Sequence, residues 1–412
     1  MSAEGTPLRI DLPPAMTAEP ARRVLAALAA GGAEVRFVGG CVRDALLRRR
    51  LRDVDMATDA EPGRVMELLA ASSIRAVPTG IEHGTVTAVV EHHPFEITTL
   101  RRDVETDGRR AVVSYTSDWR EDAARRDFTM NALSLAPDGS LFDYFDGVAD
   151  ARAGRVRFVG EPERRIREDV LRLLRFFRFH AHYGRGEPDP EGLETCARLA
   201  PLLPTLSGER VRAETLRLLE APDPVPTWRL MDQAGIVAML LPEARRIDRL
   251  EGVVPRTSDP LLRLAALVEG GRDAALALAA RIRLSNAERD RLALLCEPPV
   301  AVDPAMEPRA LRRALYAMGR DAVADLLRLA AAAPGAADPV EALARAAAWE
   351  PVSLPVAGRD LIARGVPQGP ELGRVLREIE AWWTDNDFRP DRAACLAELE
   401  RRLGSGAAPQ AS

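Results

Sequence analysis

The sequence predicts an α+β protein: an N-terminal head built on a mixed or antiparallel β-sheet, followed by a long all-helical region. Up to about residue 160, short runs of β-branched and apolar residues recur between Gly-, Pro- and Asp-rich turns. Beyond it, strand signals stop and apolar residues recur with the period of a helix. A third observation concerns the head alone. Its strand signals lie too close together for many crossover helices, which parallel strands would need.

Residues 21–30 read as a short amphipathic helix, and residues 34–38 as a strand that runs into Gly39 and Gly40, where a helical pattern begins. Residues 53–58, 85–90, 95–100 and 111–116 read as further strands. Residues 132–135 and 141–145 flank Pro137, Asp138 and Gly139, which favour a tight turn, so this pair reads as a hairpin. Helical segments follow at 163–183, 208–220, 226–234, 260–268, 273–282, 286–296, 308–318, 321–331 and 370–382. Pro- and Gly-rich breaks separate them, as at 184–190, 298–304 and 334–339. Residues 404–412 read as a disordered tail.

The chain has 412 residues, 47% hydrophobic and 29% charged, so it can bury real cores. Its length suggests roughly two to four domains. All 57 basic residues are arginine, which excludes a Walker A lysine, a Schiff-base lysine and a kinase-type phosphate lysine. A GC-rich genome accounts for such a composition by itself. The five histidines, His83, His92, His93, His180 and His182, leave the rest of the chain without a His-based metal-hydrolase site. A net charge of −5 means that any nucleic-acid surface must be a local patch. Cys41, Cys196, Cys296 and Cys395 are far apart, which excludes CxxC spacing and suggests a reducing compartment. There is neither a long apolar run nor a basic-then-apolar leader, so a cytoplasmic protein without membrane contact is expected.

Four stretches of the head carry chemistry. Gly39-Gly40-Cys41-Val42-Arg43-Asp44 joins a strand to a helix through glycines that let a phosphate approach the backbone, although such a pair is often only a turn. Asp53 and Asp55 would project to one face of a strand and repel each other. Two divalent cations would remove that repulsion and serve phosphoryl transfer; a solvated acidic edge is the plain alternative. Glu96 shares a strand face with Thr98, and three carboxylates converge if its strand neighbours that of Asp53. In Arg126-Asp127-Phe128-Thr129-Met130-Asn131, Arg126 can neutralise triphosphate oxygens, and Asp127 and Asn131 can accept from ribose hydroxyls. A helix cap and a turn would use the same residues.

Taken together, these strings resemble the motifs of the class II nucleotidyltransferases, the family of CCA-adding tRNA nucleotidyltransferases and bacterial poly(A) polymerases. Phe95-Glu96-Ile97-Thr98-Thr99-Leu100-Arg101 resembles its third-carboxylate strand. Glu168-Asp169-Val170-Leu171-Arg172 resembles its base-reading motif, and Glu209-Arg210-Val211-Arg212-Ala213-Glu214 a helix-stabilising one. A weaker match, Gly358-Arg359-Asp360-Leu361 with Gly369-Pro370-Glu371-Leu372-Gly373, is similar to a tail segment.

The resemblance implies an elongated, seahorse-like chain: a catalytic head (1–150), a helical neck with a nucleobase-reading helix (151–220), a helical body (221–335) and a tRNA-binding tail (336–412). It implies that Asp53 and Asp55 bind two Mg²⁺ ions and that Glu96 positions or deprotonates the RNA 3′-hydroxyl. Gly39, Gly40 and Arg43 would contact the triphosphate, and Asp127 with Asn131 the ribose. Arg126, Asp169, Arg172 and Arg175 would complete the nucleotide site. The charged stretch 101–110 corresponds to a flexible loop that aids the switch from C to A addition and is lacking in CC-only members.

Helix 163–183 also has a physical reading. Val170, Leu173, Leu174, Phe177 and Ala181 form an apolar seam, while Asp169, Arg172 and Phe176 share another face. Asp169 and Arg172 could form only an i,i+3 surface ion pair. As a base reader, Asp accepts from the exocyclic amine of cytosine or adenine and Arg donates to the neighbouring ring nitrogen. Uracil and guanine mismatch both contacts. Residues 151–185 hold ten arginines against four acids, a local patch fit for RNA.

The expected activity is therefore template-independent CCA addition to tRNA 3′ ends from CTP and ATP, with no DNA partner. A poly(A) polymerase would use the same head, and CCA addition is preferred because the C-terminal region lacks an extended basic tail. A non-catalytic RNA-binding protein is the alternative of another class, disfavoured by the intact Asp53, Asp55 and Glu96.

Overall fold

A computed structural model describes residues 8–103 and 113–405. The chain divides into two compact units, Met1–Pro242 and Glu243–Ser412. The expected segments 1–150 and 151–220 fall within the first unit, 336–412 within the second, and 221–335 spans the division. The class is α+β, as the sequence predicts.

The first unit is built on strands β1 (Leu8–Arg9), β2 (Val35–Val38), β3 (Met56–Thr58), β4 (Arg75–Gly80), β5 (Thr85–Val90), β6 (His93–Thr99), β9 (Ser134–Leu135) and β10 (Ser140–Phe142), with β7 (Arg101–Asp103) and β8 (Val113–Tyr115) forming a separate antiparallel pair. The main sheet runs β1-β10-β9-β2-β3-β6-β5-β4. Its described pairings are antiparallel except that of β3 with β6. That parallel pairing sets Met56 against Ile97, so Asp55, just ahead of β3, and Glu96, in the middle of β6, arrive side by side. Phe37, Met56, Val86, Ala88, Ile97 and Leu135 line a core shared with helices Glu19–Ala30 and Pro62–Ala71. Burying this apolar face is the main force holding the head together.

Several expectations are corrected. The strand expected at 53–58 begins only at Met56. Pairing with β2 reaches the backbone bond from Val38 N to the Asp55 carbonyl. Beyond Val38 the chain turns away through Gly39, so Asp53 and Asp55 lead into the strand instead of lying on it. Edge strands β1 and β4 escape the sequence reading. Strand β4 contains Pro78 and a register irregularity, both tolerable only at an edge. The hairpin of β9 and β10 forms at the expected turn. The C-to-A loop expectation falls mostly on 104–112, which lie outside the described residues, and Arg101–Asp103 in front of them is strand.

Among helices, 286–296 and 308–318 are found at their expected limits as Asn286–Cys296 and Pro308–Met318; the former starts with a Ser285–Glu288 capping box. The single helix expected at 163–183 is two, Pro162–Glu168 and Leu171–Tyr183. Asp169 between them is extended, with φ −151° and ψ 105°. The last helix, Arg392–Ser405, includes the first two residues of the expected disordered tail; 406–412 lie outside the described residues.

The second unit is helical. Leu311, Leu315, Val323 and Leu327 form one core, and Val375, Ile379, Trp383, Cys395 and Leu399 another. No helix among the described residues is long and apolar enough to cross a membrane.

Candidate active site

Gly39 ends the approach from β2 with φ +71° and ψ −130°, a conformation that strains any other residue. A Cβ there would also lie 3.0 Å from Nη1 of Arg126, so the guanidinium sits against bare backbone. Helix Gly40–Leu46 follows and carries Arg43.

Two clefts meet here. The smaller, of about 690 Å³, gathers Gly39, Gly40, Arg43, Arg126, Asp127, Asn131, Asp169, Arg172 and Arg175 with Asp55. These are the nine residues the sequence analysis assigns to nucleotide binding. The larger, of about 860 Å³, holds Asp53 and Asp55 together with Arg49, Arg52, His182, Tyr183 and Arg217. Gly40, Arg43, Asp55, Arg178, Phe179 and Arg217 line both. Glu96 is exposed and lines neither, but its charge reaches Asp55.

Burial, then the negative charges of Glu96 and Asp53, push the Asp55 carboxyl up to about 6. Arg126 opposes this only in part. Asp55, with Asp53 and Glu96 near enough for their charges to act on it, offers carboxylate oxygens of the kind a hard divalent cation takes. Among the described residues no three His, Cys, Asp or Glu side chains lie close enough to form a metal cage. One or two carboxylates, with water and phosphate oxygens in the remaining positions, are the kind of ligand set that Mg²⁺ takes, and Asp53 and Asp55 are the residues here that could supply them.

Asp127 is buried and its oxygens are engaged within the protein. Oδ1 accepts from Phe128 N at 2.8 Å and from Asn131 Nδ2 at 2.9 Å. Arg175 donates to Oδ2 through Nε at 2.8 Å and through Nη2. Burial alone would raise this carboxyl; Arg175 and Asn131 overcome it and hold it below the usual range. Arg43 Nη1 donates to Asn131 Oδ1 at 2.6 Å, so Arg43, Asn131, Asp127 and Arg175 form one chain. Asp122, which the sequence analysis passed over, anchors Arg125 and Arg126 at 2.7 and 3.1 Å. Its only sequence signal is the i,i+3 and i,i+4 spacing to two arginines.

Asp169 and Arg172 are each held by another residue. Both oxygens of Asp169 accept from Arg210 Nη2 at 2.9 Å, and Oδ1 also caps Leu171 N at 3.1 Å. Arg172 donates to Glu168 Oε2 at 2.7 Å and to the carbonyls of Arg165 and Arg125, both at 3.2 Å. The pair thus reaches the cleft from two separate anchors. The face expected for Asp169, Arg172 and Phe176 is corrected: Asp169 is outside the helix, and Phe176 is buried against Phe158, with ring centroids 5.6 Å apart. The stripe that lines the clefts is Arg172, Arg175, Phe179 and Tyr183. The arginine patch is also largely spent internally, on Arg157–Asp150, Arg165–Glu168, Arg167–Glu163 and Arg178–Glu214 pairs.

Residues 35–157 match the family model described as the Poly A polymerase head domain, and 187–247 that described as the probable RNA and SrmB-binding site of polymerase A. The chain is 33% identical over 390 residues to the mitochondrial CCA tRNA nucleotidyltransferase 1 of Mus musculus, covering 89% of this chain and 87% of that protein. It is 33% identical over 407 residues to a CCA-adding enzyme of Levilactobacillus brevis, covering 92% and 97%. Its fold is similar to that of the Bacillus stearothermophilus CCA-adding enzyme solved with CTP, with a TM-score of 0.78, 28% identity and 96% and 99% of the two chains covered.

Proposed function

We propose, from the premise that this chain belongs to the family of CCA-adding tRNA nucleotidyltransferases, that it completes tRNA 3′ ends from CTP and ATP without a template and releases pyrophosphate. The observation that supports this most is the smaller cleft, where Gly39, Asp55 and the Asp169–Arg172 pair meet.

Asp53 and Asp55 would hold two Mg²⁺ ions, which when bound supply charge neutralisation for the triphosphate and activation of the RNA 3′-hydroxyl. Glu96 adds negative potential at Asp55 and would position or deprotonate the attacking hydroxyl from the rim of the site. The Gly39–Gly40 backbone gives the triphosphate close approach, and Arg43 and Arg126 set fixed positive charge against that turn. Asn131 and Asp127 would face the ribose, and the protein contacts that engage both side chains make this wall rigid.

Base choice follows from polarity. Asp169 accepts from the exocyclic amine and Arg172 donates to the ring nitrogen, which admits cytosine and adenine. Uracil and guanine would set carbonyl against carboxylate and N–H against guanidinium, leaving polar groups unpaired. The two anchors, Arg210 and Glu168, keep the reader from collapsing into an internal ion pair.

The four segments of the sequence analysis remain our division of labour: catalysis in 1–150, base reading in 151–220, support in 221–335 and tRNA contact in 336–412. A reducing, cytoplasmic setting is part of the same proposal.

The test is incorporation from CTP and ATP with Mg²⁺, offering tRNA that lacks CCA and separately an oligo(A) primer. Addition that stops after CCA is expected. A long A tract on either substrate would show a poly(A) polymerase instead.

A further inference from the structure

Arg43 is buried, and it is the one arginine of the Gly40–Leu46 helix. Its guanidinium lies against the glycine turn: a Cβ on Gly40 would be 3.6 Å from Nη2. Three neighbours hold it. Asn131 accepts from Nη1, Asp44 accepts from Nε and Nη2 at 3.0 Å, and the Tyr183 hydroxyl accepts from Nη2 at 2.5 Å. The guanidinium carbon is also 3.9 Å from the Tyr183 ring centroid. Arg49 stacks on the same ring at 4.5 Å and donates to the His182 carbonyl at 2.9 Å.

Tyr183 ends the Leu171–Tyr183 helix, whose first turn carries Arg172. One straight helix therefore joins the base-reading end of the cleft to the phosphate end. Within it, Phe179 and Tyr183 are stacked one turn apart, with centroids 5.6 Å apart.

We infer that Tyr183 is a positioning residue that fixes the Arg43 guanidinium for the incoming triphosphate. The inference rests on the reading of Arg43 as a triphosphate contact. Asp44 is a competitor for the same donors, since its two oxygens engage the Nε edge of the fork. Without Tyr183 the guanidinium loses its ring support and one acceptor, and is held only along its Asp44 edge and by Asn131. Burial raises the Tyr183 hydroxyl, opposed by Arg43 and reinforced by the Asp44 carboxylate, to which it also hydrogen-bonds, so it is neutral at the enzyme's working pH and does not compete with phosphate as an anion would.

The experiment is steady-state kinetics on Tyr183→Leu, Tyr183→Phe and Arg43→Ala and on the Tyr183→Leu/Arg43→Ala double variant. Tyr183→Leu is expected to raise KM for CTP and ATP alike by about tenfold, with kcat and the rejection of UTP and GTP nearly unchanged. Tyr183→Phe keeps the stacked ring and should recover most of the loss. In the Arg43→Ala background, Tyr183→Leu should add no further rise. Loss of kcat at constant KM, in step with a lower melting temperature, would mean a purely structural tyrosine and overturn the inference. An equal KM rise in both backgrounds would overturn it as well. If Arg43→Ala itself leaves KM unchanged, the triphosphate reading of Arg43 fails and the inference falls with it. If Arg43→Ala raises KM and Tyr183→Leu does not, only the inference falls.

Discussion

Asp55 lies near pH 6 because it is half-buried beside two other carboxylates. Its folded value is above the ordinary 3.8, so the stabilising form is the protonated one. That contribution is complete below about pH 4 and is lost as pH rises through about 6. The metal-free Asp55→Asn variant should therefore be more stable than the wild type by about 1–3 kcal/mol at neutral pH, with the gap closing near pH 4. Melting temperatures across that range, with and without Mg²⁺, check this. A gap of the same size at both ends would remove the repulsion argument, and Mg²⁺ should raise the wild type more than the variant. Arg172→Ala should keep metal binding and tRNA affinity but lower the preference for CTP and ATP over UTP and GTP at least about tenfold. Unchanged kcat/KM ratios would count against the reader.

At the scale of elements, the break between helices Pro162–Glu168 and Leu171–Tyr183 matters most. A continuous helix would carry Asp169 around on a regular spiral. Instead Arg210, 41 residues later, grips both its oxygens, and the chain caps a new helix at Leu171. Arg210→Ala should therefore loosen Asp169 and lower base selectivity. The cost in stability should stay below about 1 kcal/mol, because the pair is partly exposed. Comparing selectivity with the unfolding midpoint separates the two effects; a large stability loss with intact selectivity would make Arg210 a purely structural clamp. This break was not legible in the sequence because its cause is a tertiary partner. The apolar period across 163–183 is continuous, and nothing local marks Asp169 as non-helical. The Asp122 hub was missed because Asp–Arg spacing of i,i+3 and i,i+4 is common on exposed helix faces and does not by itself mark a buried anchor. In contrast, Asp53, Asp55 and Glu96 were readable as motif strings, while the approach of Glu96 to Asp55 rests on the β3–β6 pairing.

Across the whole chain the basic residues are arginines, and they are heavily paired with acids. Asp122, Asp127 and Asp259 would each be raised by burial, but guanidinium partners bring them below the usual range: Arg126 and Arg125, Arg175, and Arg291 respectively. For such groups the contribution to stability is present above the ordinary aspartate value of 3.8 and is lost as pH falls through the lower folded values. The protein should therefore lose stability steadily below about pH 4. Denaturant midpoints measured from pH 7 downward check this, and flat stability to pH 3 would contradict it. The acid limb runs opposite in sign to the Asp55 effect, so maximal metal-free stability should fall between the two, near pH 4 to 6.

The sequence by itself determined the class and the order of head and helices, because glycine turns, alternating strands and helical periods are local properties of the chain, and its family motifs named nine residues that line one cleft. Only the tertiary structure decided how those residues work together. The parallel β3–β6 pairing brings Glu96 to Asp55, Arg210 holds Asp169 out of the helix, and Tyr183 meets Arg43 from 140 residues away. Each of these depends on a partner distant in sequence, and side-chain electrostatics and hydrogen bonding act through space, which no local pattern records.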